Sequence, residues 1–190
     1  MMVAYQFVDG GETTSYVAFY NFGDVGQSED DRIVSGYTYE GTVIPQIQYL
    51  EGTQSAALRD DGFTLYKGKQ IPTEVKTVEV DKEIVSTFYD DETIGLVFKN
   101  DSKDMLYTME VYSASGKLKF KKDFNVPYTS IRVSDGCILM YNSSQMCVMN
   151  KNGKVRFSGT VDGTVSDFFK IGWNRYLLVM DTGIRVIKLS

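Results

Sequence analysis

Three segments of this chain follow one plan, and that recurrence constrains the fold more than any single residue does. They are IVSTFYDDETIGLVFK (84–99), YTSIRVSDGCILMYN (128–142) and VSDFFKIGWNRYLLVM (165–180). In each, an apolar strand with a serine near its start meets a turn containing Asp, Gly or Asn, and a more apolar strand follows. The serines are Ser86, Ser130 and Ser166, 44 and 36 residues apart. IPQIQYLEGTQSAALRDDG (44–62) fits the same plan without the serine. A third strand and a turn into a fourth come next, as in EVYSASGKLKF (110–120) and CVMNKNGKVRF (147–157). Gly116 and Gly153 correspond, and Phe120 and Phe157 each follow four residues later.

Local patterning agrees. Met105, Tyr107, Met109 and Val111 alternate with Leu106, Thr108 and Glu110, and Leu118 and Phe120 alternate with Lys117, Lys119 and Lys121. This period of two predicts strands with one buried and one wet face. Turn signals fall at Asp61-Gly62, Asp135-Gly136, Asn152-Gly153, Asp162-Gly163 and Thr182-Gly183, where Gly tolerates the backbone of tight hairpins. The aromatic supply, 13 Tyr and 11 Phe against 3 Pro, suits pleated surfaces.

A unit of about 40 residues cannot bury enough apolar surface alone, so its neighbours must cover its faces. Four-stranded units of this length match the blade period of a β-propeller. The predicted fold is all-β: a single repeat domain, an arc of about five four-stranded antiparallel blades near 1–42, 44–82, 84–126, 128–162 and 165–190. The first and last blades bring three strands each, those of the first near Val3–Phe7, Tyr16–Phe22 and Arg32–Tyr39. Three strands at each end are too many for one shared blade, which predicts an open arc. Either it is part of a larger ring or it is paired with a second copy through its open edge blades.

The stretch from Val17 to Tyr66, continuing through EIVSTFYDDETIGLVF (83–98) to the final TGIRVIKLS (182–190), resembles a family of bacterial membrane-anchored β-propeller-like proteins with WD40/PQQ-like repeats and unknown function. The resemblance implies a longer protein of which this chain is the C-terminal half. It also implies an upstream transmembrane anchor and an extracytoplasmic location. It brings no catalytic residues.

The chain has no histidine. That removes the commonest general base, Ser-His and Cys-His nucleophile pairs, and His-containing metal sites. Trp173 precedes Asn174, so the Trp-Asp pair of WD40 repeats is missing too. A formal charge of −5, with no basic run longer than Lys121-Lys122, argues against nucleic acid and against contact with an anionic membrane. No apolar run approaches the roughly 20 residues of a membrane span, and the N-terminus lacks the features of a signal peptide.

Acidic clusters stand at Glu29-Asp30-Asp31, Asp60-Asp61, Asp90-Asp91-Glu92, and Asp101 with Asp104. A glycosidase needs two carboxylates about 5–10 Å apart, but Asp also favours turns for its own backbone capping. Calcium fits poorly at 100–104, where Lys103 stands among the ligands and the loop glycine is missing. GFTLYKGK (62–69) has the wrong spacing for a phosphate loop. The glycosylation-like sequences at Asn100 and Asn142 fall where turns are expected. With a two-residue turn at Ser143-Ser144, Met140 stands opposite Cys147 and Cys137 and Cys147 face opposite ways, whereas a longer loop reverses this; either way both are expected as buried free thiols.

The expected function is therefore a non-catalytic interaction or scaffold module without a cofactor. Its partner is a protein or cell-surface polysaccharide. The alternative is a carbohydrate-binding or carbohydrate-active protein using loop carboxylates and aromatics. Phe22, Tyr37, Tyr39 and Trp173, near Gly-rich or acidic loops, are candidates for the partner surface. Ser86, Ser130 and Ser166, on the innermost strands, are candidates for lining a channel.

Overall fold

The computed structural model describes residues 1–23 and 32–189. The acidic run Glu29-Asp30-Asp31 lies outside them. Among the described residues the regular elements are eighteen strands in five antiparallel sheets. The first sheet holds β1 (Met2–Asp9), β2 (Glu12–Tyr20) and β3 (Ile33–Glu40). The second runs β4 (Gln46–Tyr49), β5 (Gln54–Arg59), β6 (Gly62–Lys67) and β7 (Thr73–Glu79). The third runs β8 (Ile84–Tyr89), β9 (Thr93–Lys99), β10 (Tyr107–Ser113) and β11 (Leu118–Phe124). The fourth runs β12 (Ser130–Ser134), β13 (Cys137–Tyr141), β14 (Gln145–Asn150) and β15 (Val155–Thr160). The fifth holds β16 (Val165–Gly172), β17 (Arg175–Met180) and β18 (Gly183–Lys188). No helix among the described residues is long and apolar enough to cross a membrane.

The chain divides into two compact units, Met1–Ile84 with Ser113–Lys117, and Val85–Tyr112 with Leu118–Ser190. In the first unit, Met2, Val17 and Phe19 of the first sheet pack on Ile44, Ala57 and Tyr66 beside them. In the second unit, the fourth sheet is covered on both faces. Ile138, Met140, Cys147 and Met149 pack against Phe88, Val97, Met109 and Val111 of the third sheet. Leu139, Tyr141, Met146 and Val148 pack against Phe168, Tyr176 and Leu178 of the fifth. Double coverage explains why CILMY in β13 is apolar throughout rather than alternating.

The β13–β14 hairpin turns on Ser143-Ser144. The Asn142 amide bonds Gln145 O at 3.0 Å, and Met140 faces Cys147 in register. Cys137 and Cys147 accordingly belong to opposite faces, both as buried free thiols.

The last two strands of each of the first four sheets share a device that the alternation did not predict. Each pair carries a β-bulge at one equivalent place, after Phe19–Ser35, Leu65–Lys76, Val111–Phe120 and Val148–Phe157. A bulge bends its strand and breaks the period of two. It takes Leu118 out of alternation with Phe120, so Leu118 is exposed rather than buried with it. Met105 and Leu106, expected to begin β10, precede it and are exposed as well.

In the first three of these sheets the residue that follows the extra one reaches a following turn. Ser35 Oγ donates to Pro72 O at 2.8 Å. Lys76 Nζ donates to Gly116 O at 2.7 Å. The Phe120 ring lies against Gly153, where a Cβ would come within 2.9 Å of it.

Candidate functional site

A cleft of about 420 Å³ lies in the first unit. Three chain segments shape it, each held by its own backbone. Beyond β2, the Tyr20 amide bonds Met1 O at 2.7 Å and the Asn21 amide bonds Arg32 O at 2.9 Å. Asn21 Oδ1 accepts from the Gly23 amide at 2.9 Å, a side-chain turn that throws Phe22 outward. The Phe22 ring, 53% exposed, stacks on Tyr20 with centroids 6.1 Å apart, and the Arg32 guanidinium lies 5.6 Å from its centroid.

A second wall is the β4–β5 turn, closed by the Leu50 amide on Gln54 O at 2.9 Å. It leaves Tyr49 56% exposed. The β6–β7 loop makes the third wall, tied to that turn by the Gly68 amide on Thr53 O at 3.0 Å. Gly68 has φ +152°, and a Cβ there would stand 2.4 Å from Ile71 O, so only glycine fits. Phe19 and Ser55 are buried at the floor, and Gln54, Lys69 and Gln70 bring polar groups to the walls. Aromatic faces beside amide groups can stack on and hydrogen-bond a ligand.

The sequence candidates fare differently. Phe22 lines the cleft. Tyr37 and Tyr39 are half-buried, and their hydroxyls tie the first sheet to residues 66–74. Tyr37 donates to Pro72 O at 3.0 Å and receives the Glu74 amide at 3.2 Å. Tyr39 bonds the Tyr66 hydroxyl and Glu74 Oε2, with the Arg59 guanidinium 5.3 Å from its ring centroid. Burial, with the Tyr39 hydrogen bond next, pushes the Tyr66 phenol far above its usual range. Trp173 belongs to the second unit, at the β16–β17 turn, 84% exposed.

Ser86, Ser130 and Ser166 all stand on the first strand of their sheets. Ser86 bonds the Tyr128 hydroxyl and Ser166 donates to Val179 O at 3.0 Å, while Ser130 stands opposite Tyr141 in register. The acidic turns are similarly engaged. Asp60 accepts from the Val43 amide at 3.0 Å, Asp61 pairs with Arg59 at 2.6 Å, and Asp90 accepts from the Glu92 amide at 3.0 Å. Among the described residues, no group of three or more acidic or sulfur side chains could hold a metal ion. Asn100 and Asn142 accept from the Ser102 and Ser144 amides two residues on, at 2.8 and 2.9 Å, as turn residues do.

Sequence reasoning missed Tyr49, Gln54, Lys69 and Gln70. Tyr49 alternates with Ile47 and so reads as core. The available signal was topological: in a four-stranded blade the first and third turns emerge at the same end, so 50–53 and 68–72 had to be neighbours.

A model of a family described as of unknown function, DUF5711, matches residues 1–189. No curated protein matches the sequence. Among solved structures, the chain is similar to BBS1N in complex with ARL6DN, with a TM-score of 0.54 at 10% identity over 100% of this chain and 66% of that one. It is similar to Saccharomyces cerevisiae Sqt1, with a TM-score of 0.56 at 11% identity over 94% and 56%. It is similar to BamB from Moraxella catarrhalis, with a TM-score of 0.50 at 10% identity over 97% and 54%. The chain thus spans about half to two thirds of the length of these structures. At such identity the likeness carries the fold alone: these are β-propeller proteins, and the five sheets are propeller blades, the first and last with three strands.

Proposed function

Because the chain belongs to the family of unknown function DUF5711, whose fold hosts many unrelated functions, we propose its role from the site itself: a non-catalytic interaction module whose cleft holds an extended segment of a protein partner. The observation that carries this reading is the pair of exposed aromatic rings, Phe22 and Tyr49, in the lining of one cleft. Exposed aromatics over a preformed concavity are what interface anchors use. The engagement of Asp60, Asp61 and Asp90 in local turns supports binding over hydrolysis. BBS1N in complex with ARL6DN is a propeller bound to a protein, which supports a protein partner by analogy.

Cell-surface polysaccharide is the second reading, favoured by the Gln70 amide in the lining of the same cleft. An extracytoplasmic location belongs to either reading and rests on the family resemblance. Cleavage by added protease on intact cells tests it.

The deciding experiment selects a displayed peptide library and a glycan array against the purified chain, then repeats both with Phe22→Ala and Tyr49→Ala. Peptides that lose about 30-fold in affinity on each substitution, the loss of an anchor worth about 2 kcal/mol, support the proposal. Glycans with that behaviour shift the assignment to polysaccharide. Ligands indifferent to both substitutions contradict the cleft as the site.

A further inference from the structure

The fourth sheet is covered on both faces by its neighbours, whereas the first and fifth sheets each have one apolar face covered within their own unit. On β1, Met2 and Ala4 point to the covered side, so Val3, Tyr5, Phe7 and Asp9 occupy the other. Tyr5 stacks there on Tyr16, 5.0 Å between centroids, and Phe7 is 66% exposed. The same face carries exposed Asp9 opposite Glu12, and Glu40 opposite Thr14. No Lys or Arg occurs in β1, β2 or β3.

The fifth sheet is the complement. Tyr176, Leu178 and Met180 face the fourth sheet, which leaves Leu177 and Val179 on the other side, opposite Val186 and Ile184. Ile184 is 71% exposed and Val186 49%. Arg175 pairs in register with Lys188 on that face, and both are exposed. Asp167, next to the bulge of β16, turns its carboxylate to Tyr141 and Arg132 of the fourth sheet, each at 2.6 Å.

From these two faces we infer a head-to-tail interface between copies: the bare face of the first sheet in one molecule seats on the bare face of the fifth sheet in another. Three properties agree. Both faces are apolar in the middle, as the covered sheet faces are. Their charges are opposite, acidic on the first and basic on the fifth. Each flat sheet face is also the kind of surface that already stacks on a sheet elsewhere in the molecule. Such an interface is heterologous, so each copy keeps one free face after pairing. It is independent of the cleft.

The test uses two full-length variants, Phe7→Lys, which sets a cation against Arg175 and Lys188, and Ile184→Glu, which sets an acid against Asp9, Glu12 and Glu40. Both sites are exposed, and circular dichroism with thermal melting checks that the variants stay folded. Sedimentation velocity is expected to show concentration-dependent association of the wild type that weakens with salt. Each variant alone should associate about tenfold more weakly or not at all. Mixed one to one, they should form a heterodimer through the two intact faces. A monomeric wild type, a mixture that stays monomeric, or a single variant that still dimerises would each overturn the inference, the last by indicating a symmetric contact. A monomeric wild type would leave these faces to further sheets of a longer chain.

Discussion

The Tyr141 hydroxyl of β13 donates to Asp167 Oδ1 of β16 at 2.6 Å and so ties the fourth sheet to the fifth. Arg132 completes the cluster, 2.6 Å from both the phenol oxygen and the carboxylate, with its guanidinium 4.8 Å from the Phe169 ring centroid. Tyr141→Phe keeps the ring, which packs edge-on against Phe168, and removes only the hydroxyl. The expected loss is about 1 kcal/mol, read as a lower urea midpoint with an unchanged m-value. An unchanged midpoint would mean that the contact between these sheets is apolar alone.

Gly153 meets Phe120 at the β14–β15 turn, with φ +79°. Gly136, with φ +68°, serves as the control, because a Cβ there would have nothing within 4 Å. Gly136→Ala is expected to cost about 1–2 kcal/mol for the left-handed backbone alone. Gly153→Ala should cost that plus about 1–3 kcal/mol of overpacking against the ring. In a Phe120→Ala background the excess should disappear, and a double-mutant cycle measures it. Equal costs for the two alanines in the wild type would mean that the ring sets no limit on the turn.

Burial pushes the Cys147 thiol up to about 11, which leaves little thiolate near neutral pH. A thiol reagent at pH 8 should therefore react with Cys147 only as fast as the fourth sheet opens, and the rate should rise with urea in step with unfolding. Immediate labelling of Cys147 in the native protein would contradict the double coverage of β14.

Burial, with Cys137 adding to it, raises the Tyr176 phenol to about 12. The Tyr66 phenol shifts in the same direction. A raised pKa means that the folded state holds the neutral phenol. The corresponding stability is full below the ordinary tyrosine value of about 10 and is lost as pH rises from there through the folded value. Urea midpoints should fall between pH 10 and about 12, and Tyr176→Phe should flatten part of that fall. An identical pH slope in the variant would refute this assignment.

Much of the fold was legible because hairpins propagate register. Once Ser143-Ser144 is a two-residue turn, Met140 must face Cys147 and Cys137 must face away. The bulges were not legible, because nothing in KLKF or KVRF announces that Lys119 and Arg156 drop out of the pairing. Alternation therefore misplaced Leu118. Of the candidate site, Phe22 was legible from its position beside Gly23. The hydroxyl contacts of Tyr37 and Tyr39 were not legible, because a strand tyrosine looks the same in sequence whether its hydroxyl meets water or Pro72 O and Glu74. Tyr49 went unseen because its place on the cleft depends on two turns brought together by blade topology rather than by sequence distance.

Sheets that stack face on face should be protected according to how many of their faces are covered. Native-state hydrogen exchange resolved by strand, at a concentration where the chain is monomeric, decides whether they are. The slowest amides should lie in β13 and β14, buried on both faces. Exchange should be far faster in β18, which is exposed along most of its length. Protection in β18 equal to that in β13 would contradict the stacking.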